Sequence, residues 1–567
     1  MCICILKSKT NTVWFDIERK INMEKRERLY KIALQIVGLF ILFLCVMWGG
    51  INWETNDDPF IAFILGRYGS ETTPWTNPLY ACFLSFFYSK VAIINWWFLF
   101  SMIGILVSLL KIGQIVCSRI KERKLRCVVY SMIVIATYFF ALRQMNFTRT
   151  ACYIANAGCI LLIAAWKEKK TIRKTVGIIG ALILYIWGIC IRFQSGLLVI
   201  PFAFSILLFD VHQKKVLKTI FMEFLPILFC IVIAIIGMQT SSSELKQWND
   251  RSSNLSVLLD YPYKIQQNIE WEELNKDGYY LEDIDFLSSW YVGDREIIDN
   301  EYLGYINGIV SKDISGVFLF NEICKMMKFS SMIWFFIAAV LLLLSDSGKT
   351  MACYVGEMII CAVGLLLMGR LPNRVFESIL FVGSCDMIIC MCFNKKIVVW
   401  NIKKNIFKEW GWFKKNVLMG MMFLAVLEVS RGNLHYTLNR NAYDNTNKSN
   451  DIEILRHIDQ DQEHIYYVPM NLLGKIAYQD GILFNVDKEF CQNMIPWNGW
   501  IADLPCYNDM WEENHINNPM RALYENNKVI SVYSDDILSY LQRHYSEYIH
   551  FEIIVEANEY CLGRYIQ

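Results

Sequence analysis

Residues Glu24–Phe60, "EKRERLYKIALQIVGLFILFLCVMWGGINWETNDDPF", place a basic head, an apolar run and an acidic exit in one line. Between Lys31 and Gly50 the only charge is Lys31 itself. A bilayer crossing needs about 20 such residues. Lysine and arginine gather on the cytoplasmic side of membrane spans. The run is therefore read as a helix that leaves the cytoplasm at its basic end and emerges outside at Gly50. Glu54, Asp57 and Asp58 then follow at the membrane boundary. Carboxylates are costly beside hydrocarbon, and where they occur they mark function by default.

The rest of the chain repeats the pattern. Of its 567 residues, 55% are hydrophobic, and the formal net charge is +1. That apolar content excludes an ordinary soluble domain and indicates a polytopic membrane protein. Lys-rich loops at 119–126 ("RIKERKLR"), 166–174 ("WKEKKTIRK"), 212–218 ("HQKKVLK") and 394–415 are expected on the cytoplasmic side. They order roughly eleven spans: 31–50, 93–117, 127–145, 147–165, 175–191, 194–210, 218–238, 331–345, 351–368, 375–393 and 416–430. Residues 1–30 form a cytoplasmic segment in this reading, and Met23 is a natural alternative start. Residues 31–430 form the membrane module, with outer loops at 51–92 and 239–330. Within the first loop, 59–90 is expected to lie along the outer interface as amphipathic helix.

The tail, 431–567, is long enough for a core of its own outside the membrane. "HIYYVP", "VISVYS" and "FEIIVEA" have strand composition, and "DIEILRHID" and "DDILSYLQRHY" have helical periodicity with acidic starts. The fold class expected is mainly α, a helical membrane bundle carrying a small α/β C-terminal domain.

Many cysteines lie in the apolar spans as small hydrophobes, and no CxxC pair or Cys/His cluster has zinc spacing. "SDSGKT" at 345–350 lacks the leading glycine of a P-loop, so it reads as a turn. Nucleic acid is not among the expected partners.

Two groups of residues remain. Asp58 followed by Pro59 reads as an N-cap and N1 pair for "PFIAFILGRYG", which accounts for one acid of three. Asp57 and Asp58 are the candidates for catalysis or for holding a divalent ion, with Glu54 beside them. The second group comprises Arg143, Arg149, Arg192, Arg370 and Arg374, in outer turns that contain no lysine. The planar guanidinium fork matches phosphate oxygens better than an ammonium does. Snorkelling to headgroups explains one such arginine. Five in three turns point to an anionic, phosphorylated ligand. In the 239–330 loop, Asp260, Asp283, Asp285 and Asp294 read as helix caps or as groups serving an acceptor.

The motifs "TNDDPFIAFILGRYG", "DYP", "LEDIDFLSSWYVGD" and "GRLPNRV" together resemble the C-type (GT-C) superfamily of membrane glycosyltransferases, in an uncharacterised bacterial branch. The resemblance runs over most of the chain. It implies an inverting transferase in the bacterial plasma membrane that moves a sugar from a polyprenyl-phosphate donor to a cell-surface glycan or lipid. It places the catalytic base or a Mg2+ or Mn2+ ligand at Asp57 or Asp58. Arg149, Arg192, Arg370 and Arg374 would hold the donor phosphate, with Glu54, Asp283, Asp285 and Asp294 toward the acceptor. No WWD-like acceptor motif of the oligosaccharyltransferase type occurs in the tail. The competing readings are a non-catalytic binder of lipid-linked sugar and a polysaccharide export protein. The latter calls for ionisable groups in mid-membrane, where the spans are nearly free of charge, Glu223, Glu357 and Asp386 being the exceptions singled out.

Overall fold

The computed structural model describes residues 2–51, 57–68, 74–120, 122–210, 216–266, 269–312, 315–326, 348–393, 448–472, 493–557 and 560–567. Among them six helices are long and apolar enough to cross a membrane: Asn22–Gly49, Trp96–Arg119, Phe147–Trp166, Thr171–Ile191, Lys349–Leu367 and Asn373–Phe393. Arg126–Leu142 and Phe193–Phe209 are shorter apolar helices. The expected spans 331–345 and 416–430 lie outside the described residues, as does Glu54.

Helices Phe147–Trp166 and Asn373–Phe393 form the centre of the bundle, each about nine-tenths buried along its apolar window. Phe147–Trp166 packs against Thr171–Ile191 through glycine. A Cβ on Gly158 would stand 2.7 Å from the Tyr185 backbone nitrogen, and one on Gly188 would stand 2.6 Å from that of Ala155. Small residues allow this approach, which is how helices associate where lipid supplies no hydrophobic drive. Two acids within the spans are partnered: Asn156 donates to Asp386 at 3.0 Å, and Ser205 donates to Glu357.

One expectation is corrected. Helix Asp58–Arg67 does not lie along an interface, because every residue in it is buried. A helix that is hydrophobic nearly all round belongs inside, and "PFIAFILG" has no polar face to offer water. Helix Pro78–Lys90 is the more exposed of the pair, with Phe83 and Phe86 outward. Its cap residue Asn77 accepts from the Leu79 amide and donates to the Ala234 carbonyl at 2.7 Å.

The bundle has two unlike ends. At one, Arg126 pairs with Glu27 at 2.6 Å, while Lys167 and Arg119 sit over the ring of Phe393, 4.0 and 4.9 Å from its centre. Among the described residues, basic side chains of the 119–126 and 166–174 loops thus share one end. The other end carries a cap. Helix Ser243–Asp260 turns 102° from Phe224–Gln239 and runs across the bundle. Short helices and the antiparallel pair β1 (Tyr263–Ile265) and β2 (Val310–Lys312) complete this part of the loop.

Beyond the loop sits the α/β unit, whose strands are β3 (Ile465–Val468), β4 (Met494–Pro496), β5 (Val529–Val532), β6 (His550–Ala557) and β7 (Tyr560–Ile566). The sheet order is β4-β3-β5-β7-β6, with β3 parallel to β4 and β5 and the β6–β7 hairpin antiparallel. β3 and β5 are buried along their whole length, as central strands covered on both faces should be. Helices Lys448–Gln460 and Asp535–His544 belong to this unit.

Candidate active site

Asp57 and Asp58 sit at the start of helix Asp58–Arg67, with Asp57 as its N-cap residue. Neither carboxylate caps this helix in the way expected of an Asp-Pro pair: the Asp57 side chain makes no capping hydrogen bond. Asp58 instead accepts from the Trp97 indole nitrogen at 2.9 Å through Oδ1 and from the Phe147 backbone nitrogen at 3.0 Å through Oδ2. It fastens three helices together. Asp57 turns the other way, and its Oδ2 accepts from Arg374 Nη1 at 2.5 Å.

Arg374 and Arg370 are placed by one turn. Helix Gly348–Leu367 ends in a Gly369 at φ +91°, whose amide bonds the Leu366 carbonyl while the Arg370 amide bonds that of Leu365. Glycine at the left-handed position closes a helix this way, and Pro372 then starts the next one. Arg370 leaves the turn beside Asp260, the last residue of the helix Ser243–Asp260, with an ion pair of 2.5 Å. Arg192 occupies the extended break between helices Thr171–Ile191 and Phe193–Leu198. It donates to Thr148 Oγ1 at 2.8 Å and lies over the ring of Phe147 at 4.4 Å; Arg374 lies over the same ring at 5.4 Å.

These side chains surround one cavity of about 250 Å³ between bundle and cap. Asp57, Arg192, Arg370, Arg374 and Asp260 supply its charge. Trp75, Trp290, Trp500 and Met470 supply its apolar wall. Three guanidiniums face two carboxylates, which leaves one positive charge unmatched. Desolvation, then the neighbouring charges of Arg374 and Arg370, pull the Arg192 pKa down to about 10, against the opposing pull of Asp57. Arg192 is still a cation at neutral pH, and a bound anion would relieve it.

Other candidates stand apart. Arg149 is buried and pairs with Glu377, and it also donates to the carbonyl and side chain of Gln144. It holds helices Phe147–Trp166 and Asn373–Phe393 together and is not part of the cavity lining. Asp283 accepts from Arg543, His544 and Tyr302 at 2.7–3.1 Å, which ties loop to tail. Asp294 accepts from Asn518, Tyr540 and Tyr545 and does the same. Asp285 is exposed and meets the Tyr263 hydroxyl at 3.2 Å.

A divalent ion on Asp57 and Asp58 does not fit this arrangement. Their carboxylates serve different partners, Arg374 for one and two N–H donors for the other. Among the described residues no three His, Cys, Asp or Glu side chains gather to hold a metal.

None of the cavity's tryptophans is singled out by the sequence. Nothing local distinguishes Trp75, Trp290 and Trp500 from belt tryptophans, because only the docking of tail on loop brings them together. Phe147, beneath two arginines, carried a weak signal: it stands beside Thr148 and Arg149 in an outer turn.

No sequence family matches the chain, and no curated protein does. Solved structures similar to it include ArnT from Cupriavidus metallidurans in the apo state, at 10% identity and a TM-score of 0.40, covering 94% of this chain and 97% of that one. The same protein bound to undecaprenyl phosphate gives a TM-score of 0.34 at 10% identity, with the same coverage of 94% and 97%. The apo oligosaccharyltransferase of Archaeoglobus fulgidus gives 0.39 at 11% identity over 83% of this chain. The match spans 65% of the archaeal protein's length.

Proposed function

We propose that the protein is an inverting membrane glycosyltransferase that takes a sugar from a polyprenyl-phosphate donor and passes it to a glycan or lipid acceptor. The observation that carries this reading is the cavity's charge. Three arginines and two aspartates leave one positive charge, and the phosphodiester of a polyprenyl-phosphate sugar carries one negative charge. The cavity opens where membrane helices end, so the polyprenyl chain can remain in lipid while its phosphate meets Arg192, Arg370 and Arg374. The Lys-rich loops at the opposite end support a cap outside the bacterial plasma membrane and an N-terminus in the cytoplasm.

In the transfer step an acceptor hydroxyl oxygen attacks the anomeric carbon, and the bond from that carbon to the phosphate oxygen breaks. The hydroxyl proton goes to the Asp57 carboxylate as general base. The departing polyprenyl phosphate keeps the bonding electrons, and its growing charge is met by the arginines. Donor entry must draw Arg374 from Asp57 onto the phosphate, which frees the base.

One observation favours a second reading, the binding of lipid-linked sugar without transfer: Asp57 is already paired with Arg374, which occupies the carboxylate oxygen that would take the proton. The two readings part in one experiment. Purified protein in nanodiscs is given undecaprenyl phosphate bearing a labelled sugar together with a membrane-glycan extract. Transfer, with loss in Asp57→Asn at normal protein abundance, supports the enzyme. Donor binding without transfer supports the binder. No donor binding would refute both. Arg192→Lys keeps the charge but loses the fork, and is expected to weaken donor binding about tenfold. Simple headgroup snorkelling would leave that substitution silent.

A further inference from the structure

Trp290 is one of two non-glycine residues among those described with positive φ, at +67°. It stands just past the end of the helix Leu281–Ser288, where the chain turns left-handed and glycine is the usual occupant. A bulky side chain is strained there, and such strain persists where surrounding structure enforces it and clusters at functional sites.

The enforcement is visible. The Trp290 amide donates to the Leu287 carbonyl at 2.9 Å, and its own carbonyl accepts from the Gly499 amide at 3.1 Å. Gly499 is left-handed too, at φ +83°, and a Cβ there would overlap the Met470 sulfur. Loop and tail therefore lock each other at the cavity wall, and Trp290, Gly499 and Met470 all line it. The next residue, Tyr291, goes into the core, stacked on Phe286 at 4.5 Å and Trp497 at 5.0 Å. The turn thus sends one aromatic ring inward and keeps the other for the cavity.

Two more indoles complete the wall. Trp75 meets Trp500 edge to face at 6.1 Å. Each has a buried indole nitrogen with no hydrogen-bond partner among the described residues. Buried indole N–H groups ordinarily find one. The wall therefore offers aromatic faces beside the Asp260–Arg370 pair.

We propose that Trp75, Trp290 and Trp500 form the subsite for the sugar ring of the donor, with Trp290 as its stacking face. A pyranose presents C–H groups on its faces and hydroxyls at its edge, which matches indole faces with the charged Asp260–Arg370 pair beside them. About 250 Å³ falls just below the roughly 300 Å³ at which pockets begin to take drug-sized ligands. A single sugar ring on its phosphate suits this volume. This rests on reading the arginines as the donor-phosphate site.

The test separates the two claims by using carrier with and without sugar. Binding to nanodisc-embedded protein is measured for bare undecaprenyl phosphate and for the same carrier bearing glucose, galactose, mannose or arabinose. At least one sugar is expected to improve affinity about tenfold over bare carrier. Trp290→Asn keeps the left-handed turn, which asparagine tolerates, and is expected to erase that gain while leaving bare-carrier binding unchanged. Trp500→Phe is expected to retain part of it. A gain that survives in both variants, or no gain for any sugar, would overturn the subsite and leave the phosphate site standing. Failure of bare carrier to bind would overturn both.

Discussion

Asp58 receives the Trp97 indole N–H and the Phe147 amide on its two oxygens, while Asp57 faces three arginines. Adjacent residues at a helix start point in different directions, so one aspartate can be structural and its neighbour chemical. Asp58→Asn leaves one acceptor oxygen for two donors and turns an NH₂ group toward one of them. An unsatisfied buried donor costs about 1–3 kcal/mol. Asp58→Asn is therefore expected to lower the melting temperature in detergent and the amount of protein in the membrane more than Asp57→Asn, which loosens a single ion pair at the cavity edge. Thermal scans of the solubilised protein check this, and equal melting of Asp58→Asn and wild type would refute the clamp. At the same scale, Arg149 shows why residue type alone misleads: its guanidinium fork is used, but on Glu377 and Gln144.

Among the elements, the crossing of Phe147–Trp166 with Thr171–Ile191 fixes the floor of the cavity. Gly188 lies four residues before Arg192, and a Cβ on it would stand 2.7 Å from the Ala151 carbonyl oxygen. Backbone cannot move aside as a side chain can, so Gly188→Ala must separate the helices. Overpacking of this kind costs about 1–3 kcal/mol. The variant is expected to melt earlier and, because Arg192 shifts with its helix, to bind carrier phosphate more weakly. Gly180, whose Cβ would find its nearest atom at 3.7 Å, is the control, and Gly180→Ala is expected to behave as wild type. Thermal scans with carrier binding on both variants check it.

Across the whole molecule, the cap is a joint product of the 239–330 loop and the tail. Asp503 accepts from Arg251 at 2.5 Å and Arg295 at 2.8 Å, and Phe286 stacks on Tyr540 at 4.2 Å. Asp283 is the titratable staple. Burial pushes its pKa up, but hydrogen bonds from His544 and Tyr302 and the charge of Arg543 prevail and hold it below the ordinary value. A carboxyl depressed in the folded state stabilises above its unfolded pKa of about 3.9 and loses that contribution as pH falls through the folded pKa. The docking of tail on loop is thus expected to hold at neutral pH and to fail in acid below about pH 4. Asp283→Asn is expected to loosen it already at pH 7. Protease sensitivity of the tail across pH reports both, and an unchanged acid profile in Asp283→Asn would refute the staple.

The membrane bundle, the strands at 465–468 and 529–532 and the arginine-bearing turns were legible in the sequence, because period, hydropathy and charge are local properties. Lipid demands apolar length, and loop charge orders the spans. Which acid faces the arginines was not legible, since Asp57 and Asp58 differ only in what lies across from them. Nor was the burial of helix Asp58–Arg67 or the gathering of Trp75, Trp290 and Trp500, which come from segments hundreds of residues apart. Only tertiary structure decided these, because a cavity is made by long-range packing, and a side chain's partners depend on the fold that surrounds it.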